Sequence, residues 1–279
     1  MTELHRYHYD SLADYVDHAS KRPSVSGWAR NSLSSAPERI AGTAGMNFKQ
    51  TVATALSGWK EGADKIIKGL ESADRSAGAL EQAPDWSFDV AGEFPDVAAF
   101  CAGELEHMVT PEPVFSRPAP AITIMVQGSM GFIVTAEHCI NYGVALLSYV
   151  ASLQQAGRSV RLCWYHYATG DDASEVLTTV DINDPSAPLD LDRAAFVLAH
   201  AGMLRRIRWA ADEQRPELKD AFSDGYGQPI RDKTPADITG EYGVLWAPDR
   251  TDLCVAGHLD APENAVRHIT AALDKQQTA

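Results

Sequence analysis

Three groups of residues in this chain have the side chains for chemistry. The first is the loop Gln127-Gly128-Ser129-Met130-Gly131, which separates an apolar run from an amphipathic one. Oxygens at Gln127 and Ser129 could join a hard-cation site, and Gly128 and Gly131 could turn backbone N–H groups toward a phosphate or carboxylate. The loop is neither the dinucleotide fingerprint nor a P-loop, and a tight turn that needs small residues is its plainer reading. The second group pairs each cysteine with a nearby histidine: Cys101 with His107, Cys139 with His138, Cys163 with His166, and Cys254 with His258. Two converging pairs would make a tetrahedral zinc site. Cys163 and His166 stand three positions apart, however, so on one strand they leave opposite faces and cannot share an ion. Apolar surroundings also keep a thiol protonated, so buried, unreactive cysteine is the reading these residues favour. The third group is Arg205-Arg206-x-Arg208-Trp209. Three guanidiniums and an indole could meet phosphates and stack a base of a single-stranded nucleic acid, or face an acidic partner. Cations in the last turns of a helix also answer its dipole, and their stems cover apolar surface.

Such groups need elements to hold them. Ala121 to Val126 (AITIMV) is almost wholly apolar and rich in β-branched residues, the pattern of a strand buried on both faces in a parallel sheet. Thr135 caps a long amphipathic helix through Ile140, Val144, Leu147, Val150 and Leu153 that stops at Gly157, and VRLCWYHY follows as a second strand. Strand, helix and strand with a short return predict two parallel neighbours joined by a right-handed crossover. EVLTTVDI is a third, more polar strand placed toward an edge, and Asp171-Asp172 before it reads as a solvated turn. Asp190 or Asp192 caps a second long helix, LDRAAFVLAHAGMLRRIRWAADE, which carries the basic cluster. Beyond an irregular excursion, YGVLW and DLCVA are further strand candidates, and Pro262 opens a terminal helix.

Upstream the texture differs. Residues 1–45 mix Ser, Gly, Pro and Ala and read as a loop-rich extension. Residues 46–120 form a helical region, with Phe48, Val52, Ala55, Leu56 and Trp59 at three- and four-residue steps, a second helix through Ile66, Ile67 and Leu70, and a Pro-rich connector. Residues 121–279 are the main domain, a three-layer Rossmann-like α/β fold with a mostly parallel sheet and helices on both faces.

Composition bounds the function. With 279 residues, 45% of them hydrophobic, the chain can bury a sizeable core. A formal net charge of -14 repels polyanions over most of the surface, which argues against indiscriminate duplex-DNA or anionic-membrane binding. The N-terminus lacks the apolar stretch of a secretory signal, no run approaches a membrane span, and the expected location is the cytoplasm.

The segments NFKQTVATALSGWKEG, DVAGEFPDVAAFCAGELEHM, AITIMVQGSMGFIVTAEHCINYGVALLSYVASLQQAG with VRLCWYHY, and PLDLDRAAFVLAHAGMLRRI together resemble an uncharacterised family encoded mainly by bacteriophages and prophages. The resemblance spans roughly residues 46 to 275, and the family's core looks like a divergent von Willebrand factor A-type domain of the kind linked by analogy to cobaltochelatase subunits. In that type of domain a divalent cation sits at the C-terminal edge of the sheet on an Asp-x-Ser-x-Ser loop, with a Thr and an Asp from later loops. The positions here are Gln127, Ser129 and Gly131, so the anionic first ligand and one hydroxyl are lost; Ser129, Thr169 and Asp171 are the oxygens left for a cation. The resemblance therefore implies a non-catalytic binding or assembly module, with no cofactor, that docks a protein or nucleic-acid partner. The alternative is a metal- or phosphate-dependent hydrolase or nucleotide-processing enzyme that uses the same loop with His166, Asp171 and Asp172.

Overall fold

The structure is a computed structural model that describes residues 4–21, 46–73, 86–92, 94–111, 121–131, 133–169, 174–218 and 244–277. In chain order its elements are β1 (Leu4–Tyr9), α1 (Leu12–Ser20), α2 (Phe48–Ser57), α3 (Lys60–Ala73), β2 (Trp86–Asp89), β3 (Phe94–Pro95), α4 (Val97–Ala102), β4 (Met108–Pro111), β5 (Ile122–Gln127), α5 (Ala136–Gln155), β6 (Val160–Thr169), β7 (Glu175–Asp181), α6 (Leu191–Ala199), a π-helical turn (Met203–Ile207), α7 (Arg208–Asp212), a 3-10 turn (Pro216–Leu218), β8 (Leu245–Trp246), α8 (Arg250–Val255) and α9 (Pro262–Gln277). The chain divides into two compact units, Met1–Ala77 with Ala121–Ala279, and Gly78–Pro120.

In the larger unit a five-stranded sheet has the order β1-β7-β6-β5-β8. β5 runs parallel to β6, with Ile122 opposite Val160, and parallel to β8; β1 runs parallel to β7, and the β6–β7 pair is antiparallel. The fold is therefore α/β with a mostly parallel sheet, and the strand–helix–strand step from β5 to β6 is as the apolar pattern requires.

Helix α5 starts at a capping box in which Thr135 accepts from His138 N–H and the His138 ring accepts from Thr135 N–H. It buries Cys139, Tyr142, Val144, Leu146 and Val150. Against them lies α9, whose buried Ala265, Ile269 and Leu273 recur at four-residue steps on one stripe. Each Ile or Leu so buried contributes about 1.5–3 kcal/mol. The helices α1, α2, α3 and α5 to α9 share clusters with the sheet face that carries Ile124, Val126, Leu162 and Trp164. On the second face Met125, Cys163, Tyr165, Tyr167 and Leu177 pack with Leu4, Val244 and Trp246. No described helix contributes to that second cluster.

Four sequence readings need correction. Within the extension read as loop-rich, Leu4–Tyr9 alternates and pairs with β7, and Ser11 caps α1. As a result β7 is not at the edge; it is flanked by β6 and β1. The run DLCVA is helical, because Asp249 accepts from the N–H groups of Thr251 and Asp252 and so starts α8 where apolar content suggested a strand. The second long helix is also interrupted. His200 is extended, its Nδ1 accepts from Gly202 N–H at 2.9 Å, and a π turn follows. One extra residue in a turn rotates every later side chain by about 100° around the axis.

In the smaller unit, β2, β4 and β3 form an antiparallel sheet in the order β2-β4-β3, with α4 between β3 and β4.

A sealed polar loop at the carboxyl end of β5

β5 is the strand from which the sheet grows in both directions, toward β6 on one side and β8 on the other. In open α/β sheets that switch point, at the carboxyl end of the strand, is where ligands bind. The loop Gln127 to Gly131 stands there, and its contacts are turned inward. Gly128 N–H donates to Tyr165 O at 2.7 Å and Gly131 N–H donates to the Thr251 hydroxyl at 2.8 Å. A Cβ on Gly128 would lie 2.0 Å from the Trp164 indole, and one on Gly131 would lie 2.8 Å from Thr251 Cγ2. Both glycines are therefore demanded by close packing, and their amides are already used, which leaves neither for a phosphate. The Gln127 carbonyl accepts from Arg250, whose guanidinium also donates to Leu198 O and lies 4.2 Å from the Tyr142 ring centre.

Ser129 and His166, far apart in sequence, meet at 3.1 Å between Oγ and Nδ1. On the other side of the ring His166 Nε2 lies 3.0 Å from Asp212 Oδ2, and Arg208 Nε donates to the same oxygen at 3.3 Å. Serine, histidine and aspartate are all 0% exposed. The distance from His166 to Asp212 is short, but the ring N–H is not aimed along it, so Nε2 makes an electrostatic contact without an aligned hydrogen bond. Burial, and next the Arg208 charge, push His166 down to about 4. Burial alone would raise the Asp212 carboxyl, but His166, Arg208 and Arg215 pull it below its ordinary value. At neutral pH the imidazole is thus uncharged and the ion pair is Arg208 with Asp212.

The basic cluster turns inward as well. Arg206 is 0% and Arg208 3% exposed, Arg205 donates to Val134 O at 3.3 Å, and Trp209 is half-buried. Thr169 is exposed at the end of β6, and Asp171 and Asp172 lie outside the described residues. Two participants escaped sequence reading. Asp212 follows the π turn, which resets the direction of the side chains after it and so leaves no periodic signal in the sequence. Arg215 donates to Thr178 Oγ1 at 3.1 Å and to Tyr9 OH at 3.2 Å while lying 3.5 Å from the Tyr7 ring centre, a role visible only once β1 joins the sheet. A divalent cation does not fit this loop: Ser129 Oγ is taken by His166, and a guanidinium sits on the Gln127 carbonyl.

A family model described as a domain of unknown function, DUF7192, matches residues 2–274. The chain belongs to that family. No curated protein and no solved structure matches it. Among the described residues of this DUF7192 chain no helix is long and apolar enough to cross a membrane, and no group of three or more His, Cys, Asp or Glu is placed to hold a metal ion.

The second face of the sheet carries a cavity of about 320 Å³ with Met125, Cys163 and Leu177 as its floor and Arg6, His8 and Arg161 around it. Arg161 also clamps Asp181 with both nitrogens of its fork, at 2.8 Å from Nη2 and 3.2 Å from Nε. Burial pushes the Cys163 thiol up to about 12, so it is protonated and inert there.

Proposed function

We propose that this chain is a non-catalytic binding and assembly module, a von Willebrand A-like α/β scaffold acting in the cytoplasm of a phage-infected cell, which docks a protein partner. The observation that carries this reading is the complete burial of Ser129, His166 and Asp212: the position where such sheets do chemistry is closed, with Ser129 bonded to His166 and the Asp212 carboxylate held by Arg208. The strand order supports the scaffold comparison, with the loop at Gln127 to Gly131 placed between two parallel neighbours of β5. Docking is assigned to β1, the edge strand of the sheet among the described residues, whose Arg6 and His8 also line the open cavity. An exposed strand edge takes an extended segment by backbone pairing. A protein suits the chain better than a single-stranded nucleic acid, because the net charge is -14 and Arg206 and Arg208 are spent on the interior.

Cross-linking in cells that express the chain, followed by peptide mass spectrometry, tests this. The expected result is partner cross-links on β1 that disappear in Arg6→Glu and persist in Ser129→Ala, with no change in the anisotropy of a labelled 20-nucleotide single strand added to the purified protein. Cross-links confined to other surfaces, or oligonucleotide binding, would count against it.

One observation favours the enzyme reading instead: serine, histidine and aspartate stand in sequence at 3.1 and 3.0 Å, the order of a nucleophile, its base and the base's orienting carboxylate. Ester hydrolysis by the purified chain that is abolished in Ser129→Ala, with the fold kept, would establish that reading over the first.

A further inference from the structure

Cys254, which pairs by sequence proximity with His258, is paired in the fold with a residue 116 positions away. Its Sγ lies 3.2 Å from His138 Nδ1, and His138 Nε2 lies 3.3 Å from Asp260 Oδ1. Thr135 N–H also points at His138 Nδ1, at 3.3 Å. The Thr135 N–H donating to Nδ1 makes that nitrogen an acceptor, so the ring proton resides on Nε2, beside the Asp260 carboxylate. The tautomer is therefore the one in which His138 can take a proton from the thiol. Unlike Ser129, this group reaches the surface: Cys254 is half-buried, and the His138 and Asp260 side chains are 18% and 66% exposed.

We propose that Cys254, His138 and Asp260 form a thiol nucleophile site for small apolar acyl esters and thioesters. His138 is the base, and Asp260 is a positioning residue that holds the ring. The site replaces the non-catalytic part of the reading above and leaves docking on β1 untouched, on which it does not depend.

Burial, and the Asp260 charge next, hold the Cys254 thiol above its ordinary value, so it rests as S–H and needs a base at the moment of attack. As Sγ bonds to the acyl carbon, its proton passes to His138 Nδ1. The imidazolium then returns the proton to the leaving alkoxide or thiolate, which departs as alcohol or thiol and leaves S-acyl-Cys254. Water, deprotonated by His138, cleaves that thioester; the carboxylic acid departs and the proton goes back to Sγ. His138 occupies the first turn of α5, a helix of 20 residues, so negative charge that develops beside it meets the positive end of the helix dipole. The side chain of Ile133, 39% exposed, belongs to the residue whose carbonyl lies 3.8 Å from Sγ, and it offers an apolar surface to the acyl group.

The test uses the full chain with p-nitrophenyl acetate, following nitrophenolate release and locating acetyl groups by peptide mass spectrometry. Cys101, exposed, is an internal reference, and the buried Cys139 and Cys163 report an intact fold by staying unmodified. The expected result is acetylation of Cys254 at least about tenfold faster than Cys101, falling roughly a hundredfold in His138→Gln, with Cys101 unchanged. Glutamine at that position preserves the capping box, so the loss reports the base and not the helix end. Asp260→Asn is expected to lose about tenfold and Asp260→Glu to recover most of it. Cys254 reacting no faster than Cys101, or at an unaltered rate in His138→Gln, would overturn the proposal. Acetyl found on Ser129 in place of Cys254 would also overturn it and would support the enzyme reading of the β5 loop.

Discussion

Gly128 shows how residue type at one position follows from what lies across from it. With 2.0 Å between a Cβ there and the buried Trp164 ring, Gly128→Ala should cost about 3 kcal/mol, read as a lowered urea midpoint with a red shift of tryptophan emission. His166 carries a pH signature. Its folded value is near 4 against an ordinary 6.5, so the unfolded chain takes up the proton first as pH falls. Stability is fully present above about pH 6.5 and is lost progressively toward about pH 4, by about 3 kcal/mol for this ring. His200 is likewise pushed down by burial to about 4 and adds to the fall. Unfolding free energies in urea at pH 7 and 4.5 should show the loss, and His166→Asn should flatten it in part. At this scale the sequence was readable for packing and not for partners: the small-residue turn at Gly128 and Gly131 was legible, but the pairing of Cys254 with His138 joins residues 116 positions apart and leaves no spacing signal.

Apolar texture carried the strands β5 and β6 and the helix between them, since a run buried on both faces and a 3.6-residue stripe have distinct patterns. It failed where a single polar residue set the element. Asp249 turned DLCVA into α8, and His200 with the π turn broke one periodic helix into three pieces. Asn183 has a comparable role at the start of β6, accepting from Leu162 N–H at 2.8 Å and donating to Val160 O at 2.9 Å. Asn183→Ala leaves both backbone groups without that partner and should destabilise by about 1–2 kcal/mol, with faster hydrogen exchange at Leu162 than at residues of α9.

At the scale of the molecule, β1 completes a sheet whose other strands all lie beyond Ala121, a long-range pairing that local periodicity does not encode. The Gly78–Pro120 unit has its own small sheet, and replacing it with a flexible Gly-Ser linker should leave the α/β unit folded, with a melting temperature within about 5 °C of the parent. The proposed docking function rests on the inward wiring of the β5 loop, and the ring nitrogens of His166 report that wiring most directly. In a pH titration followed by nitrogen-15 NMR of labelled histidine, His166 should remain neutral through pH 5 with a midpoint near 4. A midpoint close to the ordinary 6.5 would show an imidazole open to solvent and would contradict the sealed loop.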